Sequence, residues 1–181
     1  MAKLTAKELA LCGLFIALIT AGTMVRIPVG GDVYTLQFLF TLLAGLMLGA
    51  KIGAVAVAAY VFMGLIGIPV FAVGGGPGYV LQPTFGYLLG FILQAYLCGY
   101  LSRRVAADFR HLLFVNLLGM AVVYVIGIGW FYAVSNFVLG TTVTAWAALF
   151  YCGILQAPPD FLLCMAAAYL ALRAKAAGFW L

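Results

Sequence analysis

The sequence predicts an all-α integral membrane protein: a six-transmembrane-helix bundle with both termini cytoplasmic, residues 1–181 forming a single domain. Three observations predict it. The composition is far too apolar for water, the apolar runs divide into six spans, and the basic residues fall almost wholly on one side.

Of 181 residues, 67% are hydrophobic and 7% are charged, whereas a soluble domain is about 45–50% apolar and about 25% charged. Nine basic and four acidic residues cannot solvate a globule of this length, so lipid must be its main solvent. The length suits about six spans of ~20 residues with short connections.

The spans follow from the punctuation. The first covers residues 5–25 and stops at Arg26-Ile27-Pro28, because proline disfavours helix in the residue before it. A loop at Gly30-Gly31-Asp32 leads into a short second span, 34–48, which ends at Gly49-Ala50-Lys51. The third covers 52–68 and stops at Pro69. An irregular stretch, 70–83, contains Gly74-Gly75-Gly76-Pro77-Gly78. The fourth span is 84–101, closed by Ser102-Arg103-Arg104, and the fifth runs from 112 to about 135. Residues 141–154 read as a short helix that need not cross. Pro158-Pro159 opens the last span, 160–172, proline being tolerated in a first helical turn. The first apolar run lacks a small-residue cleavage pattern and reads as a span rather than a signal peptide.

An even number of spans puts Lys3, Lys7, Lys51, Arg103, Arg104, Arg110, Arg173 and Lys175 on one side and leaves only Arg26 on the other. The positive-inside rule makes the first side cytoplasmic. The same asymmetry accounts for the net charge of +5 without a nucleic-acid partner, since no basic cluster is interleaved with aromatics.

Catalytic constellations are nearly absent, and the chain is not expected to be an enzyme. The single histidine, His111, lies beside Arg110 in a cytoplasmic loop. The glycine run lacks the Gly-Lys-Ser/Thr ending of a phosphate-binding loop. Paired carboxylates and metal-ligand spacings are missing, and Cys12, Cys98, Cys152 and Cys164 read as small apolar fillers. Small residues four apart, Gly45/Gly49, Gly49/Gly53 and Gly86/Gly90, read as helix-packing contacts. Ala17 and Ala21 form another such pair.

The outer side collects most of the remaining polar groups: Arg26, Asp32, Tyr34 and Gln37, then Tyr79, Gln82, Thr84 and Tyr87, then Trp146, Gln156 and Asp160. A site there would be concave, aromatic and lined by a few directed polar groups. Asp160 admits two readings, a cap of its own helix or an acceptor for ligand N–H groups. Arg26 reads as an interfacial anchor or as the partner of a ligand carboxylate or of Asp32. The glycine run reads as a tight connection or, preferably, a mobile lid.

Four stretches resemble the BioY family, the biotin-specific substrate-binding (S) components of energy-coupling factor (ECF) transporters. They are Arg26-Ile27-Pro28 followed by Tyr34-Thr35-Leu36-Gln37, the run LLAGLMLG at 42–49, the long run GLIGIPVFAVGGGPGYVLQPTFGYLLG at 64–90, and Pro158-x-Asp160. The resemblance implies a six-helix S component of the prokaryotic cell membrane. It would capture biotin at the outer face and deliver it through an ECF-type ABC transporter, with a scaffold transmembrane subunit and two ATPase subunits as partners and no resident cofactor or metal. Ala17 and Ala21 match the family's Ala-x-x-x-Ala motif for scaffold contact.

In the implied site Asp160 accepts N–H bonds from the ureido ring and Gln37 or Gln82 donates to its carbonyl. Tyr79, Tyr87 and Trp146 wall the rings, the valerate meets the backbone N–H groups of Gly75 and Gly76, or Arg26, and Tyr34 is a further candidate substrate-binding residue. The chain departs from the family pattern Pro-Gly-Asp-x-x-Lys, because Pro159 replaces the glycine and Leu163 stands where the lysine would be. Gln82 replaces the usual glycine before Pro-Thr. Losing the lysine removes a positive charge and three donors, which leaves another small vitamin such as lipoate as the alternative ligand. An autonomous small secondary transporter is the rival outside the family.

Overall fold

The computed structural model describes residues 5–29 and 32–179, and describes 26–29 and 32–34 by their backbone alone. Its helices are α1 (Ala6–Met24), α2 (Gln37–Leu48), α3 (Ala50–Leu65), α4 (Phe85–Leu101), α5 (Phe109–Ala133), the short α6 (Ala145–Leu149) and α7 (Ala157–Ala176). A two-stranded antiparallel hairpin, β1 (Arg26–Val29) and β2 (Asp32–Thr35), joins α1 to α2.

Local chemistry sets several helix ends. Thr5 and Glu8 close a reciprocal capping box at the start of α1, with the Glu8 N–H donating to Thr5 Oγ1 at 3.3 Å and the Thr5 N–H donating to Glu8 Oε2 at 2.7 Å. Asp108 caps α5 by accepting from the His111 N–H at 2.9 Å. His111, expected in a solvated loop, is exposed in that first turn, with its ring Nδ1 2.8 Å from the Asp108 carboxylate. The His111 backbone N–H and then its ring hold the Asp108 carboxyl below the usual range. Arg173 and Lys175 lie in the last turn of α7, where positive charge complements the helix dipole.

Several boundaries differ from the sequence reading: α3 covers Ala50–Leu65 rather than 52–68, α5 begins at Phe109 rather than 112, α7 covers Ala157–Ala176 rather than 160–172, and two regions differ in kind. The second span, expected from 34, is preceded by a strand pair in which Pro28 lies opposite Val33 and Arg26 opposite Thr35, and Gly30 and Gly31 of the expected loop lie outside the described residues. Proline and the β-branched Val33 and Thr35 favour an edge-paired extended chain there, so helix begins only at Gln37. The short helix expected at 141–154 is α6 followed by a wider-wound turn, Phe150–Ile154, that leads directly into α7. Another wide turn, Val134–Val138, extends α5.

Among the described residues three helical stretches are long and apolar enough to cross a membrane by themselves: Ala6–Met24, Phe109–Val138 and Ala145–Ala176. The others are shorter. At 12 residues α2 rises about 18 Å, well under the ~30 Å hydrocarbon core. Position explains this. α2 is the central helix, packed against α1, α3, α4 and α7, and it is buried along nearly all of its length. Being apolar all round suits a helix enclosed on every side.

Glycines set the helix spacing, as their four-residue repeats suggest. A Cβ on Gly45 of α2 would lie 2.5 Å from the Ala95 carbonyl of α4, and one on Gly53 of α3 would lie 2.6 Å from the Ala44 carbonyl of α2. Gly90 meets the Val123 backbone of α5 in the same way. Gly49 does a different job: it is the one-residue turn between α2 and α3, at φ +82°, where a side chain would be strained.

Long apolar side chains such as Leu9, Phe62, Phe114, Val125, Phe137 and Leu162 stand exposed around the bundle. Such a surface would associate in water and is stable only against lipid. The core beneath it is one contiguous cluster reaching from Cys12 and Phe15 to Ala168 and Ala171. Cys12, Cys98 and Cys164 are buried within it and Cys152 is half-buried, and none of the four forms a disulfide among the described residues.

Candidate ligand-binding site

A cavity of about 320 Å³ opens at the end of the bundle that carries the hairpin and the glycine run. That size is at the lower end of the ~300–1,000 Å³ usual for small-molecule sites. Its apolar wall is built from Phe38 of α2, Leu88 and Phe91 of α4, and Val123 and Phe131 of α5. The Phe38 and Phe91 rings meet with centroids 6.1 Å apart. Thr35, Gln37, Tyr79, Thr84, Tyr87, Gln156 and Asp160 supply the polar groups.

Asp160 is the fourth residue of α7, and only 7% of its surface is exposed. The helix starts at Ala157, with Pro158 and Pro159 in its first turn and no side-chain cap, so Asp160 is not spent on capping. Its Oδ2 instead accepts a hydrogen bond from the Tyr124 hydroxyl of α5 at 2.7 Å. That length is typical of a charge-assisted O–H···O⁻ bond, about 2.5–2.7 Å.

Gln37 is fixed from beneath. Its Nε2 donates to the Tyr60 hydroxyl at 3.1 Å, and that hydroxyl donates to the Val70 carbonyl at 2.9 Å. The Thr23 hydroxyl lies 3.1 Å from the same oxygen. Tyr60 and Thr23 are wholly buried, so this knot joins α1, α2, α3 and the loop after α3 inside the apolar interior. Tyr87, on the opposite wall, donates to the Cys152 carbonyl in the wide turn before α7 at 3.0 Å.

In the glycine run the Gly76 N–H donates to the Gly64 carbonyl at the end of α3 at 2.7 Å. Gly76 sits at φ +115°, and the chain then winds into a 3₁₀ turn, Pro77–Leu81. Phe71 and Tyr79 are buried against each other with ring centroids 4.4 Å apart. The loop therefore offers Ala72, Val73 and Tyr79 to the cavity, while Gly76 bonds to α3 and Gly74 to Phe71.

Of the residues the sequence pointed to, Asp160, Gln37, Tyr79 and Tyr87 converge on the cavity. Gly75, Gly76, Gln82 and Trp146 are not part of its lining. Gln82 is exposed, and Trp146 is 67% exposed on the outside of the bundle. The side chains of Arg26 and Tyr34 lie outside the described residues, although the backbone pairs Arg26 with the lining residue Thr35. Leu163 packs on the core and is not in the lining. Sequence reasoning missed Tyr60, Tyr124, Phe38 and Phe91. A hydroxyl inside an otherwise apolar span was the one available signal, and only for the two tyrosines.

Chemically, the cavity offers one carboxylate, amide and hydroxyl groups that both donate and accept, and aromatic walls. Among its described lining residues there is no Lys or Arg. Such a site suits a compact ligand with a neutral polar head carrying N–H donors and a carbonyl, joined to an apolar body.

Residues 1–178 match the family model described as the BioY family. The chain belongs to the BioY family. It is 38% identical over 168 residues to a "Probable biotin transporter BioY" of Lysinibacillus sphaericus, covering 92% of this chain and 85% of that one. It is 40% identical over 123 residues to the "Biotin transporter BioY" of Thermotoga maritima, covering 67% and 72%.

Among solved structures it resembles the crystal structure of the S component for biotin from an ECF-type ABC transporter, with a TM-score of 0.80 at 24% identity over 96% of this chain and 95% of the other. It also resembles FolT bound with folic acid, with a TM-score of 0.55 at 15% identity over 94% and 89%. Those two likenesses concern the fold alone. They place this BioY chain in the S-component fold, which also serves a different vitamin in FolT. The named family members are transporters, in keeping with the expectation that the chain is not an enzyme.

Proposed function

We propose that this chain is the biotin-binding S component of an ECF-type transporter in the prokaryotic cell membrane, capturing biotin in the cavity between α2, α4, α5 and α7. The observation that carries the reading is Asp160: a carboxylate at the wall of a small aromatic cavity, with Oδ2 held by Tyr124 and Oδ1 accepting nothing from any described residue. Biotin's ureido ring brings N–H donors for that oxygen and a carbonyl for Gln37. Its thioether ring is apolar and fits between Phe38, Phe91, Tyr79 and Tyr87. Lipoate has no N–H group to offer, and a buried carboxylate without a donor is costly, so the same observation disfavours it.

In this reading the whole chain is one transmembrane domain of six crossing helices, with both termini cytoplasmic. The eight basic residues counted above support that orientation. Arg103, Lys51 and the end of α1 that carries Lys7 would face the cytoplasm, and the cavity would open outward. The valerate would lie toward the mouth of the cavity, where Arg26 is the nearest candidate cation in sequence and Tyr34 belongs to the same hairpin. Ala17 and Ala21 are exposed on α1 and line a shallow groove with Gly13, Ile16, Thr20, Met63 and Val70. Such a small-residue face suits close approach of a scaffold helix, which fits delivery through a scaffold transmembrane subunit driven by two ATPase subunits.

The test is equilibrium binding of biotin and of lipoate to the purified chain and to Asp160→Asn. A hydrogen bond to a charged group contributes about 1.5–3 kcal/mol, so Asp160→Asn should weaken biotin binding by about tenfold to a hundredfold. Equal affinity of the two proteins for biotin would remove Asp160 from the site, and preferential binding of lipoate would change the ligand.

A further inference from the structure

Tyr124 lies on α5 beside the cavity-lining Val123, yet it is not itself part of the lining. Its hydroxyl reaches across to α7 and donates to Asp160 Oδ2 at 2.7 Å, a contact between residues 36 apart in sequence. Asp160 has few other restraints. Its own helix offers no side-chain cap, and its backbone N–H makes only a long 3.4 Å bond to the Gln156 carbonyl. Oδ1 accepts nothing from any described residue and is not among the sealed-off polar atoms of the interior.

A carboxylate is planar. Once one oxygen is held by a phenol on a neighbouring helix, the plane and the direction of the other oxygen are set. We propose that Tyr124 is the positioning residue of the site: by engaging Oδ2 it presents Oδ1, and Oδ1 alone, to one of the two ureido N–H groups. The inference rests on the biotin reading above and adds to it which residue orients the acceptor and which oxygen the ligand meets.

The consequence can be measured with ligands as well as variants. The two ureido nitrogens of biotin are chemically distinct, so methylating one should abolish the bond to Asp160 while methylating the other should not. Without the phenol, Asp160 is free to turn among rotamers, and part of the binding free energy goes into ordering it.

The experiment is a cycle on the purified full chain, using biotin and its two N-methyl isomers with the unchanged protein, Tyr124→Phe, Asp160→Asn and the double variant. Tyr124→Phe should weaken biotin by about tenfold, the scale of one lost charge-assisted hydrogen bond. It should cause no further loss in the Asp160→Asn background, because coupled residues are not additive. Nor should it further weaken the methylated isomer that already binds poorly.

A merely structural role would weaken all three ligands alike and would persist in the Asp160→Asn background. That result overturns the proposal, as does unaltered biotin affinity in Tyr124→Phe. The isomers on the unchanged protein test it without any variant, since equal weakening by both methylations is the result that overturns it there. If the unchanged protein does not bind biotin at all, the ligand reading fails and the inference falls with it. If it binds biotin but the cycle is additive, only the inference fails.

Discussion

Replacing Tyr60 by phenylalanine should damage the site from outside its lining. The ring is wholly buried and would keep its edge-on contact with Phe71, whose centroid is 5.6 Å away. Only the hydroxyl disappears. With it go the 2.9 Å bond to the Val70 carbonyl, the 3.1 Å bond from Gln37 Nε2 and the 3.1 Å contact with Thr23.

Thr23 has a second partner in the Ile19 carbonyl at 2.8 Å, so the cost falls on Val70 and Gln37. A buried polar group left without a partner costs about 1–3 kcal/mol. Interhelical hydrogen bonds inside membrane bundles average only ~0.6 kcal/mol, because the unfolded chain in the membrane also finds partners. Two groups at values between these scales imply a loss of about 1–3 kcal/mol in stability. The freed Gln37 amide should in addition weaken biotin binding by roughly three- to tenfold.

Thermal unfolding and biotin titration of the detergent-purified protein would read both effects. The affinity loss should vanish in a Gln37→Ala background, since Tyr60 reaches the ligand only through Gln37. An unchanged melting temperature together with an unchanged affinity would refute the reasoning.

Two further outcomes are expected. Ala17→Leu or Ala21→Leu should fill the groove on α1 and impair co-purification with a scaffold subunit while leaving biotin affinity within about twofold, because neither residue touches the cavity; intact co-purification would return the pair to ordinary lipid contact. Arg103→Ala should lower the melting temperature by roughly 2–4 °C per kcal/mol lost, since the guanidinium donates to the Leu46 and Met47 carbonyls at 2.9 and 3.4 Å and so closes the end of α2. That loss should be near 1 kcal/mol, the usual scale of a cation at a helix C-terminus (~0.3–1 kcal/mol) plus its hydrogen bond, and an unchanged melting temperature would show the contact to be idle.

The sequence was most informative where a single physical rule acts along the chain. Composition determined the solvent, and prolines, glycines and charges marked the helix ends to within a few residues. The glycine repeats announced the close crossings that Gly45, Gly53 and Gly90 make. Asp160, Gln37, Tyr79 and Tyr87, which line the cavity, were legible as candidates because polar groups in an apolar chain stand out and because the local runs resemble a known family. The boundary errors were also local. The second span was started at 34 on its apolar content, but residues 32–35 pair as a strand with 26–29 and helix begins only at Gln37.

What only the tertiary structure decided is which of these groups meet, and through what. Tyr124 and Asp160 come together across two helices, Tyr60 reaches Gln37 from a third, and Gly76 of the run at 74–78 bonds the loop to α3 while Ala72, Val73 and Tyr79 face the cavity. Trp146 was as conspicuous in sequence as Tyr87, yet one faces outward and the other lines the site. The physical reason is that lipid solvates every outward face alike, so apolar periodicity, the usual guide to the inward side of a helix, is erased in a membrane bundle. Helix rotation is then set by contacts between residues far apart in the chain, and the shape of the site is set with it.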